Sequence, residues 1–281
     1  MFRRKRRALA VALVCALFGA LTIGAPAARA QGLVEYALIV AQLALLTQDT
    51  TPPTIAITTP PEGATYARGQ VVASNYACTD AGVDLMTAIA NATGRTLPDF
   101  LAFLSANGPT INPPTCAGPV VSGAPIDTSS PGPHTFTVTA TDVAFTVVGG
   151  TLVSDPNTAT ATTHYGVAYP FGGFQRPIDN LPASNLVKAG QAVPVKFSLG
   201  GDRGLGILAA GSPTSSPAGC NGTIDDAVTA PAAENSGLQY DAASDTYTYV
   251  WKTAKAWAGT CRTLSVALND GTAHTALFMF K

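Results

Sequence analysis

The feature that most constrains this chain is a series of short segments in which every second residue is apolar. Residues 134–142 (HTFTVTATD) are the clearest case, because Phe136, Val138 and Ala140 alternate with threonines. Residues 246–251 (TYTYVW) repeat the pattern with aromatic side chains. Alternation with a period of two is typical of a β-strand with one buried face, and Pro- or Gly-rich turns separate the segments. The sequence therefore predicts an all-β protein built from antiparallel β-sandwiches.

The composition supports this class and excludes several others. Charged residues make up only 12% of the 281-residue chain, and threonine and serine supply much of the polarity instead. Hydrophobic residues make up 47%, which is sufficient for a packed core and excludes general disorder. The formal net charge is −1, without the basic excess that an electrostatic nucleic-acid binder needs. We therefore expect no nucleic-acid partner.

The first 30 residues have the three parts of a secretory signal peptide. Residues 3–7 are all Arg or Lys, residues 8–23 are apolar, and residues 28–30 form an Ala-x-Ala cleavage site. The apolar run of 16 residues is short for a membrane-spanning helix. Cleavage after Ala30 leaves ten basic and 17 acidic residues, a net charge of −7, which also argues against an anionic lipid surface as partner. We expect a secreted or cell-surface protein.

Residues 31–49 form an apolar lead-in segment after the predicted cleavage site. The block QGLVEYALIV resembles the start of Flp-type pilins, in which a Glu-Tyr pair follows the processing site, and Glu35 lies at the pilin spacing. Pilins usually have Gly before the cut, whereas this chain has Ala30, and their apolar helix is longer. Two interpretations stay open: a short amphipathic helix, or an anchor to a membrane or filament through residues 33–46.

Four cysteines follow the signal peptide: Cys78, Cys116, Cys220 and Cys261. Four cysteines allow three pairings, and export permits disulfide bonds. Because two cysteines lie in each half of the mature chain, we expect the pairs Cys78–Cys116 and Cys220–Cys261. These bonds close loops of about 37 and 40 residues, and each stabilises the fold by roughly 3–4 kcal/mol on the loop-entropy estimate. The chain has no Cys-x-x-Cys motif and no clustered Cys/His pair, so no zinc site is expected.

The segment over residues 50–167 resembles a known class of repeat. Its motifs are DTTPPTIAITTP, YACTD, CAGPV and IDTSSPGPHTFTVTATD. They resemble the Ig-like repeats of secreted and surface bacterial proteins, of the hyalin-repeat and bacterial Ig-like class. The resemblance implies an Ig-type β-sandwich that serves as a spacer or an adhesive module.

Two insertions depart from this repeat. Residues 82–115 have helical spacing, with Leu85, Met86 and Ile89 followed by a second apolar run, so two short helices are predicted. Residues 145–156 predict an extra hairpin around a Gly-Gly pair. Loops on a rigid scaffold often carry binding, so two interpretations stay open: ligand-contacting loops, or elaboration that covers a sheet edge.

Residues 168–281 resemble the PxKF domain, a C-terminal module of many exported bacterial proteins. The matching motifs are GGFQRPIDNLP, KAGQAVPVKFSLGGDRGLGIL, YDAASDTYTYVWKTAKAWAGTCRTL and DGTAHTALFMFK. The resemblance implies a second small β-sandwich-like domain and no activity of its own. Lys196 of the Pro-Val-Lys-Phe motif is expected on a solvated strand face, with a binding role as the alternative.

Two groups of residues are candidates for ligand contacts. The aromatic group would form either one face of a core or a carbohydrate-stacking platform, and we expect the core; it consists of Tyr247, Tyr249, Trp251 and Trp257. The acidic group, Asp80, Asp84 and Asp142, could meet at one end of the first sandwich and hold calcium. Its spacing is not that of an EF-hand loop, so the prediction is no metal, with calcium as the alternative.

No catalytic motif is found in the chain. The three histidines, His134, His164 and His274, are far apart in sequence and lack metal-ligand spacing. Residues 204–209 fit the G-x-G-x-x-A pattern, but Pro and Gly interrupt the stretch that follows, so a loop is expected instead of a nucleotide site. We therefore predict no catalytic residue and no cofactor.

These observations together predict an exported, non-catalytic structural or adhesion-type surface module. The alternative is an accessory module that binds a glycan or a protein through the two insertions. In either case the expected partner is a cell-surface glycan or protein.

Overall fold

The computed structural model of the protein describes residues 35–37, 39, 49–108, 110–148, 151–220, 228–229 and 237–281. The predicted signal peptide, residues 1–30, lies outside the described residues, and so does most of the lead-in segment. Within the described ranges, no helix has the length and apolar character needed to cross a membrane.

The protein is mostly β, which confirms the fold class expected from the alternating segments. The N-terminal half contains β1 (Thr54–Thr59), β2 (Ala64–Ala67), β3 (Asn75–Thr79), β4 (Thr115–Ala117), β5 (Gly132–Thr141), β6 (Phe145–Val148), β7 (Thr151–Ser154) and β8 (Thr158–Ala168). The C-terminal half contains β9 (Phe174–Gln175), β10 (Ser184–Val187), β11 (Ala192–Phe197), β12 (Thr214–Ala218), β13 (Val228–Thr229), β14 (Gln239–Asp241), β15 (Thr246–Lys252), β16 (Cys261–Ala267) and β17 (Ala273–Phe280). Two helices, α1 (Ala81–Ala92) and α2 (Leu97–Asn107), lie between β3 and β4.

The chain packs as two compact units to which the long strands β5 and β8 both contribute. The first unit comprises Met1–Pro60, Ala73–Ala124 and Phe136–Thr163. The second unit comprises Pro61–Val72, Pro125–Thr135 and His164–Lys281.

The N-terminal sandwich consists of β1–β5 and β8. β1 pairs with β3, and the second sheet has the order β2-β8-β5-β4. An immunoglobulin-type sandwich places strands C, F and G side by side in one sheet, and β4, β5 and β8 take these places. Tyr76 of β3 contacts Phe136 of β5 with ring centroids 5.9 Å apart, so the two sheets face one another.

The C-terminal sandwich consists of β9–β17. Its sheets have the orders β14-β15-β11-β9 and β10-β17-β16-β12-β13, which correspond to the two sheets of an immunoglobulin-type sandwich. Alternate residues of β11, β15, β16 and β17 fill the space between them. The buried members of this core are Tyr169, Phe174, Ile178, Val193, Val195, Phe197, Leu199, Ile207, Tyr247, Tyr249, Trp251, Leu264, Val266, Leu268, Ala276, Phe278 and Phe280.

Both sandwiches close one sheet edge in the same way. β2 pairs in parallel with β8, and β10 pairs in parallel with β17, so in each case an early strand lies beside the last strand of the sheet. The repeated arrangement protects the edge of the last strand from pairing with another chain.

The two helices of the first insertion form as predicted and have capped N-termini. The carboxylate of Asp80 accepts hydrogen bonds from the backbone N–H groups of Gly82 and Val83 at 2.7 and 3.0 Å. Gly94 follows α1 with a φ of 73°, a left-handed conformation that ends a helix at low cost for glycine. The hydroxyl of Thr96 accepts a hydrogen bond from the backbone N–H of Asp99 at the start of α2.

The second insertion is a hairpin, as predicted, in which β6 pairs with β7 from Phe145 opposite Ser154 to Val148 opposite Thr151. β3 begins only at Asn75, so the residues just before it are not part of this strand. The backbone before it bonds to a loop instead, because Ser74 donates to the carbonyl of Ala124.

Candidate functional site

Two disulfide bonds join the cysteines in the pairing expected from their distribution. Cys78 of β3 is bonded to Cys116 of β4 with their Cα atoms 5.9 Å apart. Cys220 is bonded to Cys261 of β16 with a Cα separation of 5.2 Å. The first bond links the two sheets of the N-terminal sandwich and encloses both insertion helices in its loop. The second bond lies beside the paired strands β12 and β16 within one sheet.

The four aromatic residues do not form an exposed platform. Tyr247 and Trp251 have no exposed surface, and Tyr249 is 7% exposed. Trp257 is half-buried, and its ring lies 5.7 Å from that of Trp251. The expectation of an aromatic core face is confirmed, and the stacking platform is excluded for these side chains.

Arg262 is a buried cation that sequence reasoning missed. Its guanidinium lies 4.2 Å from the ring centroid of Trp257, and it donates hydrogen bonds to the hydroxyl and carbonyl oxygens of Ser215. A single arginine in an alternating strand gives no signal that it turns inwards. Its contacts are those of a structural cation–π pair.

The remaining sequence candidates have separate surroundings. Lys196 is half-buried on the β11 face opposite the apolar core residues. His134 stacks on Tyr165, His164 contacts Glu62 at 3.1 Å, and His274 stacks on Phe171, with no shared partner. Residues 204–209 form a loop, as expected, with no helix after them.

The insertion helices turn their apolar faces inwards and form a small core of their own, here called the helical core. It also contains Val143, which follows β5, and Ile39 of the lead-in segment. Its buried helical residues are Met86, Ile89, Ala90, Phe100, Leu101 and Leu104. The insertion is therefore a packed layer rather than an open loop.

The described residues of the lead-in segment contact this layer directly. Glu35 forms a salt bridge with Arg95 at 2.8 Å, and the Arg95 guanidinium lies 4.5 Å from the ring centroid of Phe103. Ile39 is 2% exposed inside the helical core. Tyr36 lies so close to Gly108 that a Cβ at position 108 would overlap the phenol hydroxyl. These contacts favour the interpretation of the segment as a short amphipathic helix.

Three carboxylates meet beside the N-terminus of α1. One oxygen from each of Asp49, Asp80 and Asp142 lies within 4.8 Å of the corresponding oxygen of the other two. We call this group the acidic cluster. Asp84 points to solvent from the first turn of α1 and is not a member, so this part of the candidate set was wrong. Asp49 was missed because nothing in its Thr- and Pro-rich sequence surroundings indicates that it lies beside Asp80 and Asp142.

The protein positions the three carboxylates through the backbone and one amide. Asn157 donates its backbone N–H and its side-chain N–H to the two carboxylate oxygens of Asp142, at 2.7 and 2.9 Å. The same amide contacts the carbonyl oxygen of Asp49 at 3.2 Å. The Asp49 carboxylate lies against Gly82, where a Cβ would overlap it.

The charges of the acidic cluster are not neutralised by any described basic residue. Asp142 is 1% exposed. Burial raises its pKa above the ordinary 3.8, the hydrogen bonds from Asn157 oppose this rise, and the charges of Asp80 and Asp49 add to it. The Oδ2 atom of Asp49 is buried and accepts no hydrogen bond within the described part of the chain.

Comparison with known proteins adds little. No protein-family model matches the chain, and no curated protein matches it either. The Ig-like and PxKF resemblances and the pilin resemblance of the lead-in segment therefore rest on their sequence motifs.

Solved structures give only loose superpositions. Bacteroides ovatus SGBP-B, of a mixed-linkage glucan utilization locus and bound to a heptasaccharide, has a TM-score of 0.20 at 10% identity over 83% of this chain and 48% of its own. This chain thus spans about half the length of that protein. The Ig1-2 module of Drosophila DLAR has a TM-score of 0.18 at 9% identity, covering 82% of this chain and 100% of its own. The ZIG-8 IG1 homodimer has a TM-score of 0.17 at 10% identity, covering 39% and 88%. These TM-scores are too low to carry an argument.

Proposed function

We propose that the protein is an exported, non-catalytic structural or adhesion-type module of the cell surface or the surrounding medium. In this proposal residues 1–30 direct export, residues 50–167 form an Ig-like domain, and residues 168–281 form a PxKF-like domain. Two disulfide bonds support an oxidising compartment, where such bonds persist.

One observation carries the structural role. The side chains that the sequence offered as ligand contacts are used for packing: Trp251 and Tyr247 lie in the C-terminal core, and the apolar faces of α1 and α2 lie in the helical core. A binding module keeps its aromatic anchors accessible to a partner. A spacer needs rigid, resistant packing, and disulfide-bonded sandwiches with buried aromatic residues supply it.

A second candidate, a protein-binding accessory module, is favoured by the inserted hairpin. Val148 and Val153 are 64% and 43% exposed, whereas Phe145 on the other face of the hairpin packs against the helical core. Exposed apolar side chains on a supported hairpin suit a protein partner. Two valines are a small patch, so this candidate ranks second.

A binding experiment separates the two candidates. The purified protein is tested by surface plasmon resonance against immobilised mucin, collagen and chitin, with albumin as the reference surface. The variant Val148→Thr/Val153→Thr removes the apolar patch and retains β-branched residues. A matched control, Ala88→Gln, changes the exposed face of α1.

The structural role predicts no specific binding by the unaltered protein, the valine variant or the Ala88 variant. Their signals on mucin, collagen and chitin should stay within about twofold of their signals on albumin. Saturable binding that the valine variant loses and the Ala88 variant keeps would establish the accessory module. Loss of binding in the Ala88 variant instead would place the contact on the helical insertion.

A further inference from the structure

We propose that Asp49, Asp80 and Asp142 form a calcium site that joins the start of β1, the N-terminus of α1 and the end of β5. The proposal concerns a metal site and is independent of the surface role argued above. It is carried by the geometry of three carboxylates and by one buried carboxylate oxygen without a partner.

The spacing of the ligand atoms fits a single calcium ion. Calcium–oxygen distances of about 2.3–2.6 Å place two ligands of one ion at most about 5 Å apart. The three carboxylate oxygens lie within 4.8 Å of one another, so one ion reaches all of them. Carboxylate oxygens are the ligands that calcium prefers, and water completes its six to eight positions.

The hydrogen bonds around the acidic cluster orient the ligands. Asp80 caps α1 with its Oδ1 atom, and Asn157 holds both oxygens of Asp142. The Oδ1 atom of Asp49 accepts a hydrogen bond from the backbone N–H of Thr51 at 3.0 Å. Each carboxylate is thus fixed by neighbouring donors, which lowers the cost of ordering it around an ion.

The Oδ2 atom of Asp49 points independently to a ligand. It is buried and accepts no hydrogen bond from any described residue, although it belongs to a charged group. A buried acceptor without a partner is costly, and an ion or an ordered water is the usual explanation. Because Asp49 belongs to a group of three carboxylates that no described basic side chain neutralises, a cation satisfies this oxygen better than water does.

The site also has a consequence for the fold. The three ligands come from the boundary before β1, from the residue before α1 and from the residue after β5. An ion shared by them connects the lead-in boundary, the helical insertion and the sandwich. With only three protein carboxylates, the affinity falls in the range of about 0.1–1 mM that extracellular calcium modules show.

The test is calcium-dependent thermal unfolding of the purified protein after treatment with EDTA. The helical signal at 222 nm is followed because the site caps α1. At about ten times the dissociation constant, one bound ion raises the Tm by about 3–6 °C for a protein of this size. Isothermal titration calorimetry with calcium chloride measures the same affinity directly, with one ion per chain.

Two variants remove ligands while keeping the local structure. Asp49→Asn removes one charge, and Asp80→Ser removes a ligand but retains a good N-cap residue for α1. We expect both to lose most of the calcium shift and to weaken the calorimetric affinity at least tenfold. Asp84→Asn is the matched control, because Asp84 is an exposed acid on the same helix.

Two results would overturn the proposal. One is the absence of both a Tm shift and a binding signal in the unaltered protein up to about 10 mM calcium, an order of magnitude above the expected affinity. The other is an equal shift in the unaltered protein and in both ligand variants, which would assign the effect to diffuse binding by surface acids.

Discussion

The C-terminal sandwich buries its apolar side chains between two complete sheets, whereas the N-terminal sandwich divides them between a small sheet pair and a helical layer. Among the described residues, seventeen buried side chains form one continuous core in the C-terminal part. In the N-terminal part β1 and β3 form a sheet of only two strands, and the helical core lies apart from the Tyr76–Phe136 contact. The comparison shows that the C-terminal sandwich relies on one core, whereas the N-terminal sandwich combines its sheet contacts with a separate helical core.

The two disulfide bonds follow the same division. Cys220–Cys261 lies next to strands that already pair, so it reinforces a sheet. Cys78–Cys116 closes the base of the helical insertion and joins two sheets. The inserted helices, the inserted hairpin and the acidic cluster all belong to the N-terminal part.

The largest expected effect is the loss of a fully buried C-terminal core side chain that contacts several aromatic rings. Trp251→Ala removes a buried indole that contacts Trp257, Phe278 and Phe280. We expect a loss of about 4 kcal/mol in the free energy of unfolding. Urea unfolding followed by the fluorescence of Trp257 measures it. If the helical signal at 222 nm moves by the same amount, the two halves do not unfold separately.

Removing one disulfide bond at a time should destabilise only the half of the molecule that contains that bond. Cys78→Ala/Cys116→Ala opens a loop with a sequence separation of 38 residues, and we expect a loss of about 3 kcal/mol in the free energy of unfolding. The loss should appear in the 222 nm signal. The pair Cys220→Ala/Cys261→Ala is the control and should affect the tryptophan signal instead. A shift of the unfolding transition seen by tryptophan fluorescence in Cys78→Ala/Cys116→Ala would show that the two halves do not respond separately.

A smaller effect is expected for the lead-in segment. Ile39→Ala removes apolar atoms from the helical core and should lower the free energy of unfolding by about 2 kcal/mol, at the low end of the range for a buried isoleucine. Denaturant unfolding at 222 nm measures the loss. Ala37→Ser, at a neighbouring exposed position, is the matched control. An unchanged midpoint for Ile39→Ala would show that the segment does not dock in solution.

The smallest effect concerns pH and lies in the C-terminal part. Burial lowers the pKa of His274 below its ordinary 6.5, although the nearby Asp270 opposes the shift. The unfolded chain therefore binds more protons, so stability is fully present above pH 6.5 and is lost as the pH falls through the lowered pKa. Thermal melts by tryptophan fluorescence between pH 7.5 and 5 should show a falling Tm. His274→Gln should reduce this slope, and an unchanged slope would contradict the assignment.

Local patterns predicted much of the fold. The alternating segment over residues 134–142 became β5, and the spacing of Leu85, Met86 and Ile89 became α1, because periodicity reports which face is buried. The distribution of two cysteines in each half of the mature chain predicted the two disulfide pairs. Each of these signals lies within one element or follows from a small number of possible pairings.

The candidate site was only half predicted. Asp80 and Asp142 were named together with Asp84, whereas Asp49 was not considered. The sequence shows that Asp84 is close to Asp80 along the chain, but it does not show that Asp49 is close to Asp80 in space. The salt bridge between Glu35 and Arg95 was likewise hidden. Amphipathicity shows that a helix has an apolar face, and only the tertiary structure shows which surface covers it.

The most direct test of the proposed exported, disulfide-bonded module is the intact mass of the native protein, with and without thiol alkylation, in the medium and in the membrane fraction. We predict a species in the medium that begins at Gln31, is four hydrogen atoms lighter than the reduced chain and takes up no alkylating agent without reduction. A chain that retains residues 1–30, or one whose cysteines are alkylated without reduction, would contradict the account. A membrane-bound species would instead assign an anchoring role to the lead-in segment.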